Sequence, residues 1–170
     1  MMNYLMLTLR LAHIFAGVFW VGATLTTTFY LRPTLEAAAD ASRKVSQHLN
    51  THARLFTAMT ATGILTVLAG YSMYWLDSDG FSSSWAHSGP GIGFAIGGAA
   101  GLLGLVFRVL ANRNIAALRK LDAEIIEYPI NDLPQNFVSL LKTQALLNRL
   151  NTWSLLIAVF FMATARYLVF

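Results

Sequence analysis

Four stretches of mostly apolar residues dominate this chain, at 4–31 (a helix expected to end before Pro33), 55–76, 92–110 and 146–170. Each comes close to or exceeds the roughly 20 residues that an α-helix needs to cross the hydrocarbon core of a bilayer. Hydrophobic residues make up 56% of the chain and charged residues 12%. A water-soluble domain carries roughly 25% charged residues, so this chain has too little charge to clothe a water-facing surface. The expected fold class is therefore all-α: an integral membrane four-helix bundle, with residues 1–170 forming a single transmembrane domain. The N-terminal stretch has no basic flank, and its apolar run continues past Phe29. It reads as a retained membrane helix rather than a cleaved leader.

Lysine and arginine positions give the expected orientation, because short cytoplasmic connections are enriched in them. Arg32, Arg43, Lys44 and Arg54 flank the first connection, and Arg108, Arg113, Arg119, Lys120, Lys142 and Arg149 flank the third. The connection 77–91 has none, and the two ends of the chain offer only Arg10 and Arg166. Both termini are thus expected outside and both basic connections in the cytoplasm, in a bacterial inner (cytoplasmic) membrane. The third helix is expected to run on past Arg113 as an amphipathic extension to about Glu127, where Tyr128-Pro129 and Leu133-Pro134 break it. A new helix starts near Gln135. Helices three and four should then extend into the cytoplasm as a hairpin.

An ionisable side chain within a membrane helix is expensive and needs a partner. His13 is such a residue, in the outer part of the first helix. A neutral imidazole is a natural axial ligand for haem iron; the alternative is an interhelical hydrogen bond. Arg10 lies one turn before His13 on the same face, and Arg166 lies near the outer end of helix four. Arginine pairs bidentately with carboxylates, which would suit outward-pointing haem propionates, although arginines at helix ends also snorkel to the interface. His87, in the outer connection, has the right depth for a second axial bond if its loop folds onto the bundle. His52 begins helix two at the opposite surface and is a poor partner for His13.

The segments Arg10-Leu11-Ala12-His13, Trp20-Val21-Gly22 and Tyr30-Leu31-Arg32-Pro33 resemble the first helix of the copper-resistance protein D superfamily. They also resemble the HemJ-type haem-binding, oxygen-independent protoporphyrinogen oxidases. Asn148-Arg149-Leu150-Asn151 and Met162-Ala163-Thr164-Ala165-Arg166-Tyr167 are similar to an uncharacterised branch of that superfamily of small four-helix membrane proteins. The resemblance covers mainly helices one and four. It implies that His13 is a haem b ligand. HemJ-type enzymes also use a lysine in a later helix; here no lysine lies at membrane depth, which argues against protoporphyrinogen oxidation.

His48 and His52 stand at i,i+4 and share a helical face. That spacing suits copper or zinc, or one axial bond to an inner haem with Arg32, Arg54 and Arg108 near its propionates. The bland alternative is a solvated start to helix two. An inner and an outer haem together would resemble the electron wire of four-helix b-type cytochromes. Gly93, Gly97 and Gly101 repeat at four-residue spacing, which favours close helix packing and also makes room for a flat ring. Threonines at 24, 26–28, 57, 60, 62 and 66 are expected to bond to backbone carbonyls or across helices.

Several classes are excluded. The chain has no cysteine, hence no disulfide, thiolate metal site or cysteine nucleophile. It has no phosphate-binding glycine loop and no dinucleotide fingerprint. No carboxylate lies at the centre of a membrane helix, so a carboxylate proton relay is absent. No basic stripe suits nucleic acid. What remains is a haem b-binding membrane protein, an electron-transfer or redox oxidoreductase component, with a quinone or redox partner protein. The alternatives are a copper-binding or copper-transport membrane protein, and a cofactor-free accessory subunit in a homo-oligomer or larger complex.

Overall fold

The computed structural model describes residues 4–37, 45, 48–49, 54–125 and 134–168. Those residues are helical almost throughout, and none of them is in a strand. Four long helices define the architecture: α1 (Tyr4–Thr26), α2 (Leu55–Asp77), α3 (Gly89–Ile125) and α4 (Gln135–Thr164). All four are long and apolar enough to cross a bilayer. The chain is built as a multi-pass membrane protein.

Helical backbone does not stop before Pro33. After α1 the chain makes a π-helical turn, Thr27–Leu31, and continues as a short helix, Arg32–Ala37. Proline normally breaks a helix because it lacks an N–H and its ring collides with the carbonyl four residues back. Here the widened turn accommodates it, with the Arg32 N–H bonding to the Thr27 carbonyl five residues earlier. The break before α4 falls at Pro134, extended at φ −54°, ψ 139°, and the helix begins at Gln135.

Two antiparallel pairs build the bundle. In the α1–α2 pair, Gly17 faces Thr66, Gly63 sits against the Trp20 ring, and Gly70 sits against His13. In the α3–α4 pair, Gly93 meets Ala165 and Leu168, Gly97 meets Phe161 and Met162, and Gly104 meets Leu155. These glycines let the helix backbones approach closely. Gly101, of the same sequence repeat, faces open space. The pairs join chiefly through α2 and α3, with Asn112 donating to the Thr60 hydroxyl at 2.8 Å. Contact between α1 and α4 is sparse and includes a 3.1 Å hydroxyl–hydroxyl bond from Thr28, in the π turn that prolongs α1, to Thr152.

The packing is inverted relative to a water-soluble bundle. Phe15 is 73% exposed, Val18 69% and Phe160 61%, whereas Thr24, Arg108, Asn114, Asn151 and Thr152 are buried. Large apolar side chains on the outside and polar ones inside suit a hydrocarbon solvent; Asn114 and Thr152 find partners across helices. The apolar core is small: Trp20, Met59 and Leu155, with Leu105 and Phe56 packed against them.

Candidate functional site

Two places where polar groups lie at membrane depth stand out. The first is His13, half-buried in the α1–α2 interface. Its Nδ1 lies 2.8 Å from the Thr66 carbonyl oxygen. A carbonyl can only accept, so Nδ1 is the donor, and in the neutral tautomer that carries this proton the lone pair is on Nε2. The ring packs so closely on Gly70 that a Cβ there would stand 2.8 Å from Cε1 and 2.9 Å from Nδ1. Only glycine leaves room for this imidazole. A histidine that donates from one ring nitrogen to a backbone carbonyl has its tautomer and orientation fixed, as metal-ligating histidines commonly do.

The other residues singled out in the sequence are not gathered around this ring. Arg10 is exposed on α1, and Arg166 is exposed in the short 3-10 turn, Ala165–Tyr167, that follows α4. His87 closes another such turn, Ser84–His87, and is exposed. The connection does fold over the bundle end, but through its aromatic residues. Trp85 lies 5.4 Å from Tyr74 and 6.3 Å from Phe94 between ring centroids, and Phe81 lies 5.2 Å from Trp75. His48 is exposed, and His52 lies outside the described residues. Among the described residues, no group of three or more His, Cys, Asp or Glu side chains is placed to hold a metal ion.

The second place is a cavity of about 350 Å³ towards the bundle end that carries the α1–α2 and α3–α4 connections. Its walls include Thr24, Thr27 and Thr28 from the first helix and its π turn, Phe56 from α2, Arg108 from α3, and Gln144, Asn148 and Asn151 from α4. Arg108 is 3% exposed. Its guanidinium carbon lies 4.6 Å from the centroid of the Phe56 ring, a cation–π contact. Among the described residues its Nε and Nη2 have no hydrogen-bond partner, and neither do Asn151 Oδ1 and Thr24 Oγ1. Nearer the connections, the α3–α4 seam is paired: Asn114 donates to Leu140 O and Gln144 Oε1, both at 2.9 Å, and Gln144 donates to Asn148 Oδ1 at 3.2 Å.

Arg108 is the residue that charge counting along the sequence misplaces. The expected extension of the helix to about Glu127 leaves Arg108 17 residues, about 26 Å of helix, short of Ile125, and there it is buried rather than a flank of the connection. A signal was present. Gly93, Gly97, Ala100, Gly104, Arg108, Ala111 and Asn114 follow one another at three- and four-residue steps, and all are buried. Arg108 thus stands on the small-residue stripe that faces α4.

Together these features define the class: a small helical multi-pass membrane protein with a polar interior. The chain matches no family model, no curated protein and no solved structure.

Proposed function

We propose that this is an integral membrane haem b protein with a one-electron transfer or redox role, and that Nε2 of His13 is its axial ligand. The observation that carries the reading is the 2.8 Å bond from His13 Nδ1 to the Thr66 carbonyl, which orients the ring and leaves Nε2 as the nitrogen that would take iron. Haem supplies a reversible one-electron couple; the chain supplies ligation and a low-dielectric setting. Gly70 holds the ring by leaving space for it. Arg10 and Arg166 are the nearest cations in depth for the propionates, in keeping with the resemblance to the copper-resistance protein D and HemJ-type superfamily. We place both termini and the 77–91 connection outside a bacterial cytoplasmic membrane, and the basic ends of α3 and α4 in the cytoplasm.

The test is a reduced-minus-oxidised visible spectrum of protein purified in dodecyl maltoside from cells supplied with a haem precursor. The expected result is a Soret and an α band that disappear in His13→Ala and persist in His87→Ala, since His87 is exposed on the connection. A colourless protein that retains copper would replace this reading with the metal-binding one. A colourless, metal-free protein would leave His13 as an interhelical hydrogen bond and overturn the reading.

A further inference from the structure

We propose that the Arg108 cavity is a binding site for an anionic amphiphile whose phosphate or carboxylate group sits on the Arg108 guanidinium. Nothing in this proposal depends on haem. Phe56, beneath the guanidinium, and Thr66, beside His13, are ten residues apart on α2, about 15 Å along the helix. The two places lie at different depths.

An unpaired cation inside a membrane protein is costly, and such residues usually mark a functional partner. Arg108 is 3% exposed, and the two nitrogens lacking partners among the described residues, Nε and Nη2, form one edge of the guanidinium; the edge is covered in the ligand-free protein, and a turn of the side chain presents it to the cavity. That edge is a fork of two parallel N–H donors. It matches a group offering two oxygens side by side, which is the geometry of carboxylate and phosphate. A halide or a single carbonyl would leave one tooth of the fork unused. Among the described residues, no acidic side chain lines this cavity. Thr24 and Asn151 line the cavity; their Oγ1 and Oδ1 lie just beneath its surface, without partners among the described residues, and add a hydroxyl and an acceptor once a ligand opens the wall. They suit a hydroxyl on the ligand or a protonated oxygen of its headgroup.

The surroundings point to an apolar tail. A second cavity of about 360 Å³ lies along α1, lined by Val18, Phe19, Gly22, Ala23 and Leu55. It shares Thr27 and Leu31 with the Arg108 cavity. The π turn Thr27–Leu31 therefore separates a cationic polar chamber from an apolar groove. A π turn inside a helix is often found at a functional site. A molecule with its oxyanion in the chamber and its chain in the groove would use both. Such a molecule is a lipid of the bilayer or a soluble amphiphile of the same chemistry.

The experiment uses the full-length protein in dodecyl maltoside, a neutral amphiphile with a twelve-carbon tail. Dodecyl phosphate, dodecanoate, inorganic phosphate and phosphatidylglycerol are each titrated, and binding is read by native mass spectrometry and by the shift in thermal unfolding midpoint. Wild type should bind dodecyl phosphate or dodecanoate and shift upwards, with inorganic phosphate far weaker. Phosphatidylglycerol binding as tightly as the single-chain probes would identify a bilayer lipid as the source; its exclusion would point to a soluble amphiphile. Arg108→Gln should bind about 10- to 100-fold more weakly, the loss expected for a charged hydrogen-bonded pair. Arg108→Lys keeps the charge but not the fork, and should fold normally while losing most of the binding. Inorganic phosphate binding as tightly as dodecyl phosphate would overturn the amphiphile assignment. Binding of every probe unchanged in both variants, or no binding in wild type, would overturn the site itself.

Discussion

Replacing Gly70 with alanine should destabilise the protein through one side chain, His13. The added Cβ would stand 2.8 Å from His13 Cε1 and 2.9 Å from Nδ1, and its next neighbour is again His13, with Nε2 at 3.9 Å. Separations under 3 Å between such atoms are not tolerated, so the ring must move, and moving it breaks the 2.8 Å bond to Thr66. Overpacking costs about 1–3 kcal/mol, and an interhelical hydrogen bond in a membrane protein is worth about 0.6 kcal/mol. Alanine in place of glycine returns about 1 kcal/mol of helix propensity. The net expectation is a loss of about 0.5–2.5 kcal/mol. In a His13→Ala background the collision is gone, and the same change should stabilise by up to about 1 kcal/mol. The sign reversal is the signature, and a double-mutant cycle on unfolding in mixed micelles, followed by tryptophan fluorescence, measures it. Equal effects of Gly70→Ala in the two backgrounds would refute the packing described for His13. If His13 also ligates haem, Gly70→Ala should shift the Soret band as well.

Other consequences follow from the same geometry. A Cβ on Gly93 would meet Ala165 Cα at 3.0 Å, whereas one on Gly101 meets nothing within 4 Å. Gly93→Ala should therefore lower stability by about 1–3 kcal/mol, and Gly101→Ala should leave it unchanged or raise it by up to about 1 kcal/mol, both read from thermal melts in detergent. Asn114→Ala removes two bonds across the α3–α4 seam and exposes two acceptors inside it, for an expected loss of about 1–3 kcal/mol by the same assay. Because the chain has no cysteine, single cysteines report topology cleanly. In intact spheroplasts a membrane-impermeant maleimide should label Ser82→Cys and not Ser139→Cys; the opposite pattern would invert the orientation.

The helices were legible because lipid imposes length: a run of about 20 apolar residues is a strong signal. The start of α4 at Gln135 followed from Pro134, which cannot donate into a helix. Pro33 misled for the same reason. Proline reads as a stop, yet the π turn before it lets helical backbone carry on to Ala37, and nothing in Thr27–Leu31 announces a widened turn. The glycine repeat was legible as a packing stripe, but which glycines meet a neighbour depends on where α4 crosses, and Gly101 falls off that line. His13 stood out by type alone; its fit to Gly70 required knowing that α1 and α2 are antiparallel neighbours in that register. Arg108 was hidden by its type, since arginine near a helix end usually snorkels. The expected run of α3 beyond it, with α4 alongside, already left it well inside the helix; its burial shows only once its place on the stripe facing α4 is known.

Arg108 also provides a test in which stability and binding move in opposite directions. A cation held in place by a fixed acid would destabilise the protein when removed, because the acid would be left unpaired. Among the described residues Arg108 has no such acid in its cavity, and two of its donors are unpartnered, so its desolvation is offset mainly by the Phe56 ring. Replacing it with methionine, of similar length, removes a buried charge at the expense of a cation–π contact worth about 0.5–2 kcal/mol. Substituting well-packed apolar side chains for buried charges is often neutral or stabilising by about 1–4 kcal/mol. Ligand-free Arg108→Met should therefore unfold at the wild-type temperature or above it while failing to bind dodecyl phosphate. A marked drop in the melting temperature of the ligand-free protein would mean that Arg108 is a structural brace, and that the polar groups around it serve the fold rather than a ligand.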